Sequence, residues 1–93
     1  MTETAEARLK RMRMRSWRRG TKEMDLVLGP WSDAHLDGLG ESDLALYDQL
    51  LAENDQDLMA CIFGTQTPPA PLADLLARIT TFARARLTGD AKG

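Results

Sequence analysis

Apolar residues in this chain recur at spacings of three and four, in short runs closed by glycine or proline. Leu9, Met12 and Ser16 fall on one line, and Met14 and Trp17 widen the arc. Leu44, Tyr47, Leu50 and Leu51 repeat the pattern, with Leu46 beside them. Leu58, Met59, Ile62 and Phe63 follow, and Leu72, Leu75, Leu76, Ile79 and Phe82 end the series. This period belongs to helices with one buried face, whereas the apolar residues of a half-buried strand alternate. The expected fold is all-α, a compact bundle of four or five short helices around one core.

Boundary signals divide the runs. A first helix is expected over residues 5–18, with Gly20 as its stop. Residues 22–36 read as helical overall with a bend or restart at Pro30. Gly29 precedes a proline, which pushes it from the helical region, and Ser32 is placed to cap the restart. A third helix is expected over 41–52, after Gly38 and Gly40. Asn54 or Asp55 caps a fourth, and Gly64 ends it. Thr65 to Pro71 reads as a linker or turn, and Pro71 suits the first position of the last helix because its missing N–H is not needed there.

At 93 residues the chain has room for one small domain. The expected layout is a flexible N-terminus over 1–7, a single helical domain over 8–87 and a flexible C-terminus over 88–93. A barrel or a full dinucleotide-binding sheet needs a much longer chain. No apolar run approaches the roughly 20 residues that cross a bilayer, so direct membrane insertion is not expected. Met1 to Ala7 carries Glu3 and Glu6 without an apolar segment, unlike a secretory signal.

A net charge of −2 conceals a sharp division. Residues 8–22 hold eight bases and no acid; residues 23–60 hold ten acids and no Lys or Arg. Two uses are open: the halves pair with each other inside the fold, or the resulting dipole orients the protein on a partner. A small nucleic-acid-binding module, using the basic first helix on phosphates, is the alternative function. The neighbouring acids oppose it, and no base-reading helix is evident.

Catalytic and metal-binding patterns do not assemble. Cys61 is the sole cysteine and His35 the sole histidine, too few for the usual zinc sets, and a reducing compartment is the simplest setting. Cys61 sits near an apolar helix face and is expected to be buried. His35 reads as a packed or surface residue. Gly38 and Gly40 lack the third glycine and the strand–turn–helix setting of a phosphate loop. Asp43, Asp48, Asp55 and Asp57 read as solvated helix faces. The chain is not expected to be an enzyme, to hold a metal or to bind a cofactor stably.

The basic and acidic halves meet at Arg19-Gly20-Thr21-Lys22-Glu23-Met24-Asp25. If this segment stays helical, Arg19 and Glu23 share a face. If it bends at Gly20, the missing side chain lets another surface come close. Arg19 offers a planar fork of donors and Glu23 offers acceptors, with Lys22 and Asp25 supporting the face. The candidate site is a partner-binding patch of Arg19, Gly20, Lys22, Glu23 and Asp25.

The consecutive run from Arg19 to Glu23 resembles the RGxxE motif of the succinate dehydrogenase assembly factor 2 family, also called flavinators or FAD assembly factors. The resemblance spans about residues 8–82. It takes in the Arg-rich helix before the motif, Met24-Asp25 after it, and the segment from Tyr47 to Leu58. Thr21 and Met24 stand where relatives often carry larger apolar residues or leucine. Gln56 replaces a frequent proline, and the 67–71 segment differs from many relatives. The resemblance implies a five-helix fold that binds the flavoprotein subunit of succinate dehydrogenase and, in bacteria, that of fumarate reductase. It implies promotion of covalent FAD attachment to a histidine of that partner, with the FAD belonging to the partner. Arg19, Gly20 and Glu23 carry over as the functional residues. The implied compartment is the cytoplasm of a bacterium or the mitochondrial matrix of a eukaryote.

Overall fold

The computed structural model describes the backbone of residues 3–91 and the side chains through Arg86. Five α-helices follow one another: α1 (Ala5–Ser16), α2 (Lys22–His35), α3 (Glu41–Leu51), α4 (Asp55–Phe63) and α5 (Ala73–Ala91). Short 3-10 turns at Leu36–Gly38 and Ala70–Leu72 close α2 and lead into α5. No strand occurs among the described residues. The all-α bundle expected from the apolar spacing, with the five helices that the family resemblance implies, is the fold found.

The helices start where side chains supply the missing acceptors. Thr4 Oγ1 accepts from the Ala7 N–H at 3.1 Å, so Ala5 to Ala7, inside the N-terminal segment set apart in the sequence, form the first turn of α1. Thr21 Oγ1 accepts from the Met24 N–H at the head of α2. Of the two candidates for capping α4, Asn54 does so, accepting from the Gln56 N–H at 2.7 Å. Gly64 ends α4 at φ +82°, and the N–H groups of Thr65 and Gln66 close on the Ala60 carbonyl. α5 continues through Gly89 to Ala91; residues 92–93 of the expected flexible C-terminus lie outside the described residues.

Three boundaries differ from the sequence reading. α1 stops at Ser16, two residues early, because Trp17 leaves the helix to lie against α2. Pro71 sits within the 3-10 turn before α5 and not at the first position of α5 itself. α2 runs unbroken through Pro30, and Ser32 does not cap a restart. Its hydroxyl instead donates to the Gly29 carbonyl at 2.7 Å while the residue is buried. Leu28, Trp31 and Ser32 are all in the core, and that packing holds the helical course through the proline. The cost falls on the Leu26 carbonyl, whose usual donor four residues on is the absent proline N–H.

The core joins one face of each helix. Met12, Met24, Leu28, Trp31, Tyr47, Leu50, Leu58, Leu75 and Ile79 are almost fully buried. The rings of Trp31 and Tyr47 lie 5.1 Å apart between centroids. Two polar residues are buried with them, Ser16 and Ser32. Ser16 spends its hydroxyl proton on the Met12 carbonyl at 2.8 Å, so the Tyr47 hydroxyl donates to Ser16. Burial pushes the Tyr47 phenol up to about 12.

Much of the charge division is resolved inside the molecule. Arg8 pairs with Glu41 at 2.8 Å, Arg13 with Asp37 at 2.9 Å and Arg78 with Asp43 at 3.3 Å. Arg11 bridges Glu3 at 2.7 Å and Asp48 at 3.0 Å, and its hydrogen bonds hold both carboxyls below the usual carboxylate range. Each surface pair contributes only about 0–1 kcal/mol. Their collective effect is on availability: Arg8, Arg11 and Arg13, three of the arginines that a phosphate backbone would need, are already engaged by acids, which counts against the nucleic-acid reading.

Candidate functional site

The segment between α1 and α2 carries the charge junction. Gly20 turns the chain there at φ +101°, a left-handed conformation that side-chain-bearing residues rarely adopt. Of the two courses left open by the sequence, the chain takes the bend. Arg19 and Glu23 therefore do not share a helix face.

Arg19 turns inward. Its side chain is 8% exposed and lies against the turn joining α3 to α4. Nε donates to Asp55 at 2.8 Å, Nη2 to the Glu53 carbonyl at 2.7 Å and Nη1 to the Leu51 carbonyl. One guanidinium thus satisfies the carboxyl-terminal end of α3 and pairs with the first residue of α4. A cation at a helix C-terminus and an acid at a helix N-terminus each suit the local dipole. The backbone N–H of Arg19 donates to Asp25 at 2.7 Å. Asp25 is half-buried, so it fastens the bend from the α2 side while Arg19 fastens it from the α3–α4 side.

Gly20, Lys22 and Glu23 are left exposed by these anchors. A Cβ placed on Gly20 would meet no atom within 4 Å, so the space above it is open. Glu23 lies in the first turn of α2, where the helix dipole favours an anion. The five candidate residues thus divide into two anchors, Arg19 and Asp25, and three that face solvent, Gly20, Lys22 and Glu23. Beside them runs an open groove of about 590 Å³, bordered by Arg15, Arg18 and Arg19 on one side and the chain from Leu51 to Gln56 on the other.

Two contributors were not singled out in the sequence. Asp55, expected on a solvated helix face, is instead largely buried against Arg19, a pairing that spans 36 residues and lies beyond any local pattern. Trp17 packs its indole directly onto Gly29: a Cβ there would fall 2.5–2.6 Å from Cε2 and Cε3 of the ring. The sequence marks Gly29 only as a proline-preceding helix breaker. The Trp17 Nε1–H also donates to Asp33 at 3.4 Å.

The remaining reactive groups lie elsewhere. His35 stacks on Trp31 and meets the edge of Phe82, each at 5.1 Å between centroids. Cys61 is half-buried, less enclosed than expected, and burial followed by the charges of Asp57 and Glu53 pushes its thiol up. Among the described residues, no three His, Cys, Asp or Glu side chains come together as metal ligands. No described helix is long and apolar enough to cross a membrane.

Comparison with known proteins adds an independent line. Residues 10–83 match the family described as flavinator of succinate dehydrogenase. The mitochondrial succinate dehydrogenase assembly factor 2 of Meyerozyma guilliermondii is 45% identical over 56 residues, 60% of this chain and 42% of that protein. The FAD assembly factor SdhE of Legionella pneumophila strain Lens is 37% identical over 62 residues, 67% of this chain and 78% of that protein. The mitochondrial assembly factor 2 of Schizosaccharomyces pombe is 37% identical over 67 residues, 72% of this chain and 48% of that protein. The aligned region thus spans less than half of these two fungal relatives and most of the bacterial one. No solved structure gives a significant match. The matched stretch contains the bend at Gly20, both of its anchors and the core of all five helices, and the chain belongs to the succinate dehydrogenase flavinator family.

Proposed function

We propose that this chain is an assembly factor that binds the flavoprotein subunit of succinate dehydrogenase, and that of fumarate reductase where the cell makes one, and promotes covalent attachment of FAD to it. The observation that carries this reading is the exposed Gly20–Lys22–Glu23 surface, held rigid by Arg19 and Asp25 in a chain of the flavinator family. FAD and the histidine that receives it belong to the partner. The chain works there as a docking body and not as an enzyme.

Its contribution is geometric. A partly folded flavoprotein holds the flavin ring and the accepting histidine in many relative positions. Binding a rigid surface restricts those positions and removes part of the entropic barrier to bond formation. Gly20 lets a partner backbone come close, and Glu23 offers a carboxylate to a donor on that partner. Glu23 acts by contact; no proton transfer through it is required. The compartment follows the partner: cytoplasm in a bacterium, mitochondrial matrix in a eukaryote.

The test is reconstitution. The flavoprotein subunit is produced with and without this chain, and protein-bound covalent flavin is read by in-gel fluorescence after denaturation. Flavin attachment should rise when the chain is present and fall back with Glu23→Ala. Equal covalent flavin in all three samples rejects the reading.

A further inference from the structure

Leu26 is 53% exposed, although it is a large apolar residue in the middle of α2. Met24, Leu28 and Trp31 complete the contribution of α2 to the core without it. Leu26 follows Glu23 by three residues and Lys22 by four. Those intervals put Lys22 and Glu23 each beside Leu26 on the helix surface, roughly 5–6 Å away between Cβ atoms. Leu26, Gly29 and Asp33 continue as a line along the same side of α2. Trp17 lies on that line, against Gly29 and bonded to Asp33, and its indole remains 40% exposed. The exposed indole and the exposed Leu26 therefore border one ridge, which begins at the proposed docking motif.

We propose that this Leu26–Trp17 ridge is the apolar part of the surface on which the immature flavoprotein seats, receiving an apolar side chain from the docking segment. The inference rests on the flavoprotein reading above and extends it from the motif to the next two turns of α2. Its argument is continuity. A partner close enough to use the open space over Gly20 and to reach Glu23 also covers a side chain one turn away. The chemistry fits an interface centre: Lys22, Glu23 and Asp33 supply both signs of charge at its borders, while the middle is aliphatic and aromatic. A partly exposed tryptophan is the residue type that most often anchors such contacts. Pro30 adds a polar feature, since the Leu26 carbonyl loses its usual helical donor there.

The experiment measures binding of the full chain to its own apo-flavoprotein subunit by biolayer interferometry. The variants are Leu26→Asp, Leu26→Lys, Leu26→Met and Glu23→Ala, and thermal melts check the fold of each. Both charged variants should bind roughly tenfold or more weakly with unchanged melts, and Leu26→Met should stay within about threefold of the parent. Weakening by both charge signs identifies lost apolar contact and not simple repulsion. Parent-like binding by L26D and L26K, with weak binding by E23A, overturns the ridge and leaves the motif reading standing. Parent-like binding by all variants, or no binding by the parent, overturns both. Light scattering supplies the last arm: self-association that L26D abolishes, with flavoprotein binding unchanged, assigns the ridge to a second copy and overturns the proposal.

Discussion

The guanidinium of Arg19 and the carboxylate of Asp55 meet at 2.8 Å, joining the charge-junction bend to the turn between α3 and α4. The arginine also donates to two backbone carbonyls of the α3–α4 turn, that of Leu51, which Arg15 shares, and that of Glu53. It behaves as a rivet: three hydrogen-bonded attachments at one largely buried side chain.

Removing the rivet is expected to cost more than an ordinary surface pair. Arg19→Ala leaves the largely buried Asp55 carboxylate and the Glu53 carbonyl short of donors, while Arg15 still reaches the Leu51 carbonyl, a cost of about 2–4 kcal/mol in all. For a domain of this size that lowers the melting temperature by roughly 10 °C or more. Arg19→Lys recovers only part, since one ammonium cannot present the same fork. Urea denaturation of the two variants beside the parent checks the order. A parent-like midpoint for Arg19→Ala rules out the anchoring role and returns Arg19 to the docking surface.

The Trp17–Gly29 contact gives a second expectation, one that depends on a pair. Gly29→Ala forces the indole to move, and overpacking of this kind costs about 1–3 kcal/mol. In a Trp17→Ala background the ring is gone and most of that cost disappears, leaving only the crowding of the new Cβ against the Pro30 ring in a helical backbone. The double-mutant cycle therefore shows a coupling well outside simple additivity. Additive effects would mean that the ring does not rest on Gly29 in solution.

The fold was legible where the signals were local. The apolar spacing of Leu44, Tyr47, Leu50 and Leu51 marks α3 because a helix displays residues three and four apart on one side. Asn54 and Gly64 bracket α4 through cap chemistry that acts within a few residues. Pro30 misled for the opposite reason. Its local preference against a continuous helix is real, but burial of Leu28 and Trp31 outweighs it, and that burial depends on residues far along the chain. Local packing also shortens α1, where Trp17 is drawn onto Gly29.

The site was legible in composition more than in geometry. Arg19, Gly20 and Glu23 are marked by the junction of charges and by the family resemblance, yet the spacing Arg19 to Glu23 suits either a helix face or a bend. Only the inward course of Arg19, toward carbonyls more than 30 residues away, decides between them. Leu26 carries no signal of its own in the sequence. Its apolar type suits a core position, and its exposure appears only once the rest of α2 has been buried.

Glu23 and Gly20 are expected to behave differently as variants. Glu23→Ala removes an exposed carboxylate and should leave stability within about 0.5 kcal/mol, while covalent flavin on the partner falls. Gly20→Ala imposes a side chain at φ +101° and should cost about 1 kcal/mol or more through the backbone alone, despite the open space above it. Stability and covalent flavin measured on the same samples separate the two routes to failure. A destabilised Glu23→Ala would show that this carboxylate has a structural role.

The buried Tyr47 makes stability depend on alkaline pH. In the unfolded chain a tyrosine ionises near its ordinary value of about 10. In the fold, burial raises Tyr47 to about 12. Between those values the unfolded chain has released a proton that the folded chain still holds, so unfolding is favoured as pH rises. The stabilisation is complete below pH ~10 and is lost through pH ~12, by ~2–3 kcal/mol over the whole interval. Tyr47→Phe removes the titrating group and the hydrogen bond to Ser16. It should begin about 0.5–1.5 kcal/mol less stable at neutral pH and then lose less on the alkaline side. Urea midpoints for both proteins from pH 8 to 12 test this, and parallel curves would show that Tyr47 does not carry the alkaline slope.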